Sequence, residues 1–232
     1  MNSTDNHPGL SLRQAAVTAG VGLLIMTVAA PFAEFFVYGR LVVTGDAETT
    51  AQNILANGGL FLSGLFSYLL VFVMDVLVAW ALYWLLRPVN RSLSLLAAWF
   101  RLVYTALALF AMLKLVTAWH LLHLADGTAD LHAQAALQLD AFRQEWGLSL
   151  ILFGIHLLLI AWLVYRAAYI PRFLGLLLAI AGLGWVVFEL APFLLPGANL
   201  RWLFIAFMGE TVFMIWLLGW GWRIPERLPD RV

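Results

Sequence analysis

Apolar residues run along this chain in six long blocks separated by short polar breaks. The blocks cover approximately Gln14–Tyr38, Leu60–Leu86, Leu93–Leu124, Trp146–Tyr165, Phe173–Leu195 and Leu200–Trp222. An α-helix needs about 20 mostly apolar residues to cross a bilayer, because each backbone amide must find its partner inside the segment once water is gone. The breaks hold residues that end helices: Gly39-Arg40, Arg87-Pro88-Val89-Asn90, Ile170-Pro171-Arg172 and Leu195-Pro196-Gly197. The pattern therefore predicts an all-α fold, a polytopic bundle of six transmembrane helices forming one membrane domain over residues 1–232. The first block has a weakly basic arm and an Ala29-Ala30 pair like those of cleaved signals. Pro31 and the continuing run through Phe32, Phe35 and Phe36 argue for a retained helix.

Two of the outer breaks carry helical patterns of their own. Asp46 stands where an N-cap belongs, Glu48 follows in the first turn, and Asn57-Gly58 makes a stop. Between them Ala47, Ala51, Ile54 and Leu55 form one apolar stripe, which predicts a short amphipathic helix at the interface. After Thr128, the spacing of Leu131, Ala135, Leu139 and Phe142 predicts an outward extension of the fourth span. Both segments either cover the outer mouth of the bundle or serve as plain hairpin connectors.

Composition agrees with the pattern. Of the 232 residues 63% are hydrophobic and 11% charged, with a mean hydropathy of +0.91; a soluble domain carries about 25% charged residues. Thirteen basic and thirteen acidic side chains cancel and no basic run exists, so nucleic acid is excluded as a partner. With no cysteine there is no disulfide, thiolate metal site or cysteine nucleophile. Eight arginines (13, 87, 91, 166, 172, 223, 227 and 231) fall on one side of the expected topology and three (40, 143 and 201) on the other. The acids Asp46, Glu48, Asp126, Asp130, Asp140 and Glu145 join the smaller group. The positive-inside rule then puts both termini in the cytoplasm, with the lipid bilayer as the constant partner of the chain. Trp99, Trp119, Trp146, Trp185, Trp202, Trp220 and Trp222 fall toward span ends, as anchors of an aromatic belt.

Ionisable groups inside the spans carry the functional information, since Asp or Arg at a helix centre costs about 2.5–3.5 kcal/mol on insertion. At 1.5 Å per residue, Asp75, His156 and Glu210 lie roughly 15–18 Å from the inner ends and Arg101 about 10 Å. Glu34, Glu189 and Lys114 lie in the outer half, with His120 and His123 near the outer boundary. Glu189 shares a stripe with Gly175, Ala179 and Gly182, small residues of the kind that let helices approach, so it faces the bundle. Lys114 lies off the Arg101–Thr105–Ala108–Met112–Trp119 stripe and snorkels or serves another contact.

Two arrangements are open. In one, Glu34, Asp75, Arg101, His156, Glu189 and Glu210 line a single polar chamber for a ligand or a proton relay. In the other they pair off, Arg101 with Asp75 and His156 with a carboxylate, and fix helix register. The acids outnumber the cations, so pairing leaves at least one acid to be balanced by a proton, solvent or a bound cation. His156, Asp75 and Glu210 make a weak metal set, with no supporting spacing, and neither a metal nor an organic cofactor is expected. Nucleophile-elbow, phosphate-loop and dinucleotide motifs are missing. A shift of 81 residues superposes the second span on the fourth and Asp75 on His156, a weak internal repeat made mostly of leucines.

In their order along the chain, several segments resemble the bacterial membrane family called domain of unknown function 4386. They are Gly45-Asp46-Ala47 leading to Ala51-Gln52-Asn53-Ile54-Leu55, Asp75-Val76, Leu86-Arg87-Pro88-Val89-Asn90, Phe100-Arg101, Phe153-Gly154-Ile155-His156, Ile170-Pro171-Arg172-Phe173-Leu174-Gly175 and Ala181-Gly182-Leu183-Gly184. Asp75, Arg101 and His156 belong to them. The resemblance implies a multi-pass protein of the bacterial inner (cytoplasmic) membrane and brings no activity, cofactor or catalytic residue with it. Lys114, His120 and His123 match none of its motifs.

Three functions stay open. The favoured one is a binder or carrier of a small molecule or ion through a chamber near the bilayer midplane; six helices make a small carrier, so a homodimer is expected. The second is a non-catalytic scaffold or accessory subunit. The third is an intramembrane hydrolase or lipid-modifying enzyme, with or without a metal, using His156 and Asp75 as base and orienting partner.

Overall fold

The computed structural model describes residues 9–124, 128–194 and 208–226. Seven helices make up the described chain. Helix α1 starts at Leu12, capped by Ser11 in a reciprocal box with Gln14. Its α-helical part ends at Pro31, and a π-helical stretch, Phe32–Tyr38, carries it on to Leu41. Pro31 has no N–H for the carbonyl of Thr27 and crowds it, and the wider turn that follows absorbs the misfit. Ser67 Oγ, from the neighbouring helix, donates to the Ala29 carbonyl at 3.0 Å.

Helix α2 (Ala47–Ala56) is the short outer helix expected, with Asp46 accepting from Thr49 N at 2.9 Å. Helices α3 (Gly58–Leu86), α4 (Arg91–Leu122), α5 (Ala129–Arg166) and α6 (Arg172–Leu194) are long, and α7 covers Met208–Trp220. The long run of α1, Leu12–Leu41, and helices α3 to α6 are long and apolar enough to cross a membrane, five in all. The second outer connection is not a separate helix. The stripe of Leu131, Ala135, Leu139 and Phe142 is the first part of α5, and three of its members are fully buried. Residues 200–207 of the sixth expected span, the Leu195-Pro196-Gly197 stop, Asp126, Arg201, Trp202, Arg227 and Arg231 lie outside the described residues.

The long helices form a closed ring. Each packs on its neighbours in the order α1, α3, α4, α5, α6, α7, and α7 returns to α1, while α2 lies on α5. Both described ends of the chain meet at one end of the ring: Leu12 N donates to Glu226 O at 3.3 Å and Arg13 pairs with Glu226 at 3.5 Å. A close seam joins α5 and α6. A Cβ added to Gly154 or to Gly182 would stand 2.7 Å from the other's carbonyl oxygen, so glycine is required on both sides. Apolar side chains fill the ring and also cover its outside, where Phe35, Phe66, Phe110, Leu176 and Ile180 are exposed. That outer skin suits lipid and not water.

Candidate functional site

Three ionisable side chains meet inside the ring, well away from the ends of their helices. Arg101 is ten residues into α4, Asp75 eleven before the end of α3, and His156 ten before the end of α5, all about 15 Å from the same end of the ring. Arg101 is thus level with its partners and not closer to the inner surface; α4 begins before the expected block, and each residue adds its rise. Exposure is 0% for Asp75, 1% for Arg101 and 0% for His156.

One guanidinium nitrogen of Arg101, Nη2, lies 2.6 Å from Asp75 Oδ1, and the other, Nη1, 3.3 Å from His156 Nε2. His156 Nδ1 is 2.8 Å from the carbonyl of Ala97. A carbonyl only accepts, so Nδ1 bears the proton and Nε2 presents its lone pair to the guanidinium. His156 therefore contacts a cation and a backbone oxygen, not the carboxylate expected for it. The face of Phe153 lies under the guanidinium at 5.3 Å, and Met26 Sδ of α1 is 3.7 Å from Nη2. The Arg101–Asp75 contact is close but off the line of an N–H bond. Neither Asp75 oxygen receives a well-directed hydrogen bond among the described residues, and Arg101 Nε has no partner there. Charge is balanced while hydrogen-bonding capacity is left over.

Beside this set lies a cavity to which all six ring helices contribute. Leu23, Leu82, Arg101, His156, Leu178 and Glu210 stand on its wall, one from each. Its free volume of about 10 Å³ has room for roughly one water molecule. Glu210, ten residues before the end of α7, accepts from Trp185 Nε1 at 3.0 Å and has no cation in contact among the described residues. Of the intramembrane acids Glu34, Glu189 and Glu210, it is Glu210 that stands on the wall of this cavity.

Glu34 and Glu189 stand elsewhere. Glu34 lies in the π-helical stretch, accepts from the Tyr68 hydroxyl at 2.9 Å and pairs with Arg143 of α5 at 3.3 Å. Tyr38, Tyr68, Phe142 and Trp146 pack around this outer group, and Arg143 lies over the Tyr38 ring. Glu189 does face the bundle, but its stripe is the α5 seam. A Cβ on Gly147 would meet the Glu189 carboxylate, so the side chain rests on α5 near its outer half. Of the six residues that one of the two expected arrangements drew to a single chamber, the fold brings four together and sends two outward. Helix length explains this, since the seam carries Glu189 two turns beyond Gly182.

Lys114 pairs with Glu145 of α5 at 3.5 Å, and His123 bonds the Trp119 carbonyl at the end of α4. Trp146 and Trp185 are not belt anchors: one sits in the outer aromatic group, the other holds Glu210. Arg143, Trp185 and Tyr68 are the members of the two polar groups that sequence reasoning missed as partners. Tyr68 stands seven residues before Asp75, on one face of α3, and that spacing is the one signal the sequence offers. Among the described residues no three histidine or carboxylate side chains stand close enough to hold a metal ion. Both nitrogens of His156 are already engaged.

Asp75, Arg101 and His156 are carried by the segments that resemble a known family, and a comparison of the whole chain decides the matter. The family model of the domain of unknown function 4386 (DUF4386) matches residues 18–221. The chain belongs to this family. A relative in Archaeoglobus fulgidus, described as an uncharacterized protein, is 36% identical over 157 residues, which is 68% of this chain and 83% of the relative. No solved structure matches. This DUF4386 chain is a multi-pass membrane protein by its apolar helices, and the family name leaves its activity to be argued from the site.

Proposed function

We propose that this DUF4386 protein is a membrane carrier or binder that takes a small cationic ligand or a proton at Glu210, in the chamber shared with Asp75, Arg101 and His156. One observation carries the reading. Asp75 and Arg101 neutralise each other, His156 holds its proton toward Ala97, and Glu210 has among the described residues a tryptophan N–H and no cation in contact. A carboxyl group there is balanced by a proton or a bound cation, and exchanging one for the other is how a carrier couples ligand to proton. The cavity's size corresponds to a closed state, with opening needed to admit anything larger than water.

The same proposal takes six spans with both termini in the cytoplasm, in the cytoplasmic membrane. The meeting of Leu12 with Glu226 supports an even number of crossings, and the arginine count supports the orientation. A homodimer remains part of the proposal, as six helices make a small carrier.

Purified protein in vesicles holding a pH-sensitive dye, with a potassium diffusion potential imposed, tests it. Proton entry above that of protein-free vesicles is expected, with loss in Glu210→Gln and in Asp75→Asn. Entry equal to the protein-free control, or unchanged by both substitutions, overturns the reading. A second reading, a scaffold whose buried ion pair specifies helix register, is favoured by how completely Asp75, Arg101 and His156 close on one another. An enzyme using His156 as base would first have to free a ring nitrogen.

A further inference from the structure

Four arginines at the end of the ring that holds Leu12 and Glu226 share one arrangement. Arg87 lies over Trp84 at 4.8 Å, Arg166 over Trp162 at 5.7 Å, Arg172 over Tyr165 at 5.8 Å and Arg223 over Trp222 at 4.8 Å. None of them has a carboxylate at ion-pair distance among the described residues. Glu226, the one described acid at this end outside the spans, is taken by Arg13. The opposite end differs: Arg143 and Lys114 are each paired with an acid. A cation held on an aromatic face with its N–H edge outward is open to an oxyanion.

One of the four stands in a groove. The turn between α5 and α6 and the end of α7 enclose about 450 Å³, walled by Tyr169, Ile170, Trp216, Trp220, Arg223 and Ile224. The Tyr169 hydroxyl donates to the Leu85 carbonyl of α3, so one wall is tied to the ring. Ile170 and Ile224 are buried behind it, while Trp220 and Arg223 are exposed. The groove is thus apolar and aromatic along the helix and cationic at its end. A phospholipid has the matching sequence, acyl chain, ester region and phosphate, and inserts in the same direction.

We propose that this groove binds an anionic phospholipid, its phosphate on the Arg223 guanidinium and its glycerol region against Trp216 and Trp220. Arg223 gives a bidentate fork that a phosphodiester fits, and the unpaired Arg172 beside Pro171 adds the field that selects a net negative headgroup. The site is independent of the carrier reading, since it lies outside the ring's centre.

Delipidated full-length protein in detergent is titrated with short-chain phosphatidylglycerol, phosphatidylcholine and inorganic phosphate, with binding read by native mass spectrometry and by thermal shift. Phosphatidylglycerol should bind in preference to phosphatidylcholine and raise the melting temperature. Arg223→Gln should weaken its binding by about tenfold, the size of one lost charged hydrogen-bond pair. Arg223→Lys, which keeps the charge and loses the fork, should fall between, and Arg166→Gln, on the same face but outside the groove, should bind as the parent does. Equal binding of the two lipids, or equal effects of Arg223→Gln and Arg166→Gln, overturns the proposal. Inorganic phosphate binding as tightly as phosphatidylglycerol overturns the lipid as occupant.

Discussion

The centre of the ring and its outer end hold the same chemical unit in two settings. Each has an acid, an arginine and a third polar group: Asp75, Arg101 and His156 inside, Glu34, Arg143 and Tyr68 outside. Inside, exposure is 0–1% and the acid and base come within 2.6 Å; outside, the side chains of Glu34 and Arg143 are 30% and 56% exposed and stand 3.3 Å apart. Burial decides what the pair is worth to the fold. A charge separated from its partner inside the ring has nowhere to go, whereas at the outer end water or a lipid headgroup replaces the partner. The inner unit is therefore tied to the architecture, and the outer one is free to change its contacts.

The contrast is broken most directly by removing one charge at a time. Arg101→Met leaves Asp75 buried and unpaired and should destabilise the detergent-solubilised protein by about 3–5 kcal/mol, while adding Asp75→Leu should restore most of it. Reversible unfolding of both singles and the double in mixed micelles measures this; additive effects would show that the pair is not a unit. Next in size, Gly154→Ala pushes a methyl group toward the Gly182 carbonyl and should cost about 1–3 kcal/mol in the same assay. It separates packing from charge, since no ion pair is touched. Arg143→Ala should cost about 0–1 kcal/mol, and a value near that of Arg101→Met would erase the distinction.

The smallest effect is local and depends on pH. Bonds from the Thr49 backbone N–H and hydroxyl hold Asp46 below the usual carboxylate range, and bonds from His132 and Gln52 do the same for Glu48. A carboxylate whose pKa is depressed by folding contributes stability that is full at neutral pH and fades as pH falls through the carboxylate range. Hydrogen exchange corrected for its intrinsic pH dependence should therefore quicken in α2 between pH 7 and pH 3. The centre of α5, where no such cap is at stake, should keep its protection; equal loosening of both would refute a local cause.

Some of this was written in the order of residues. The blocks of apolar side chains had to become helices, because lipid offers backbone amides no other partner, and Asp46 and Asn57 mark the ends of α2 by local hydrogen bonding alone. The pairing of Arg101 with Asp75 was one of the two arrangements left open by the charges, although position along the chain set Arg101 shallower than its partner. The engagement of His156 with Ala97 and Arg101 was in neither, because a backbone carbonyl leaves no trace in a pattern of side chains. Trp146 and Trp185 misled for a similar reason: a tryptophan near the end of a span is the same letter whether it anchors to headgroups or holds an acid.

Length, hydrophobicity and the position of each charge along its helix were thus determined by the sequence itself, since a helix rises by a fixed step and must bury its own hydrogen bonds. Only the tertiary structure decided which charges meet, because that depends on how each helix is rotated about its axis and where its seams lie. The Gly154–Gly182 contact sets that rotation for α5 and α6, and with it turns His156 toward Arg101 and lays Glu189 against Gly147, while Glu210 of α7 stands on the same cavity with no cation in contact among the described residues.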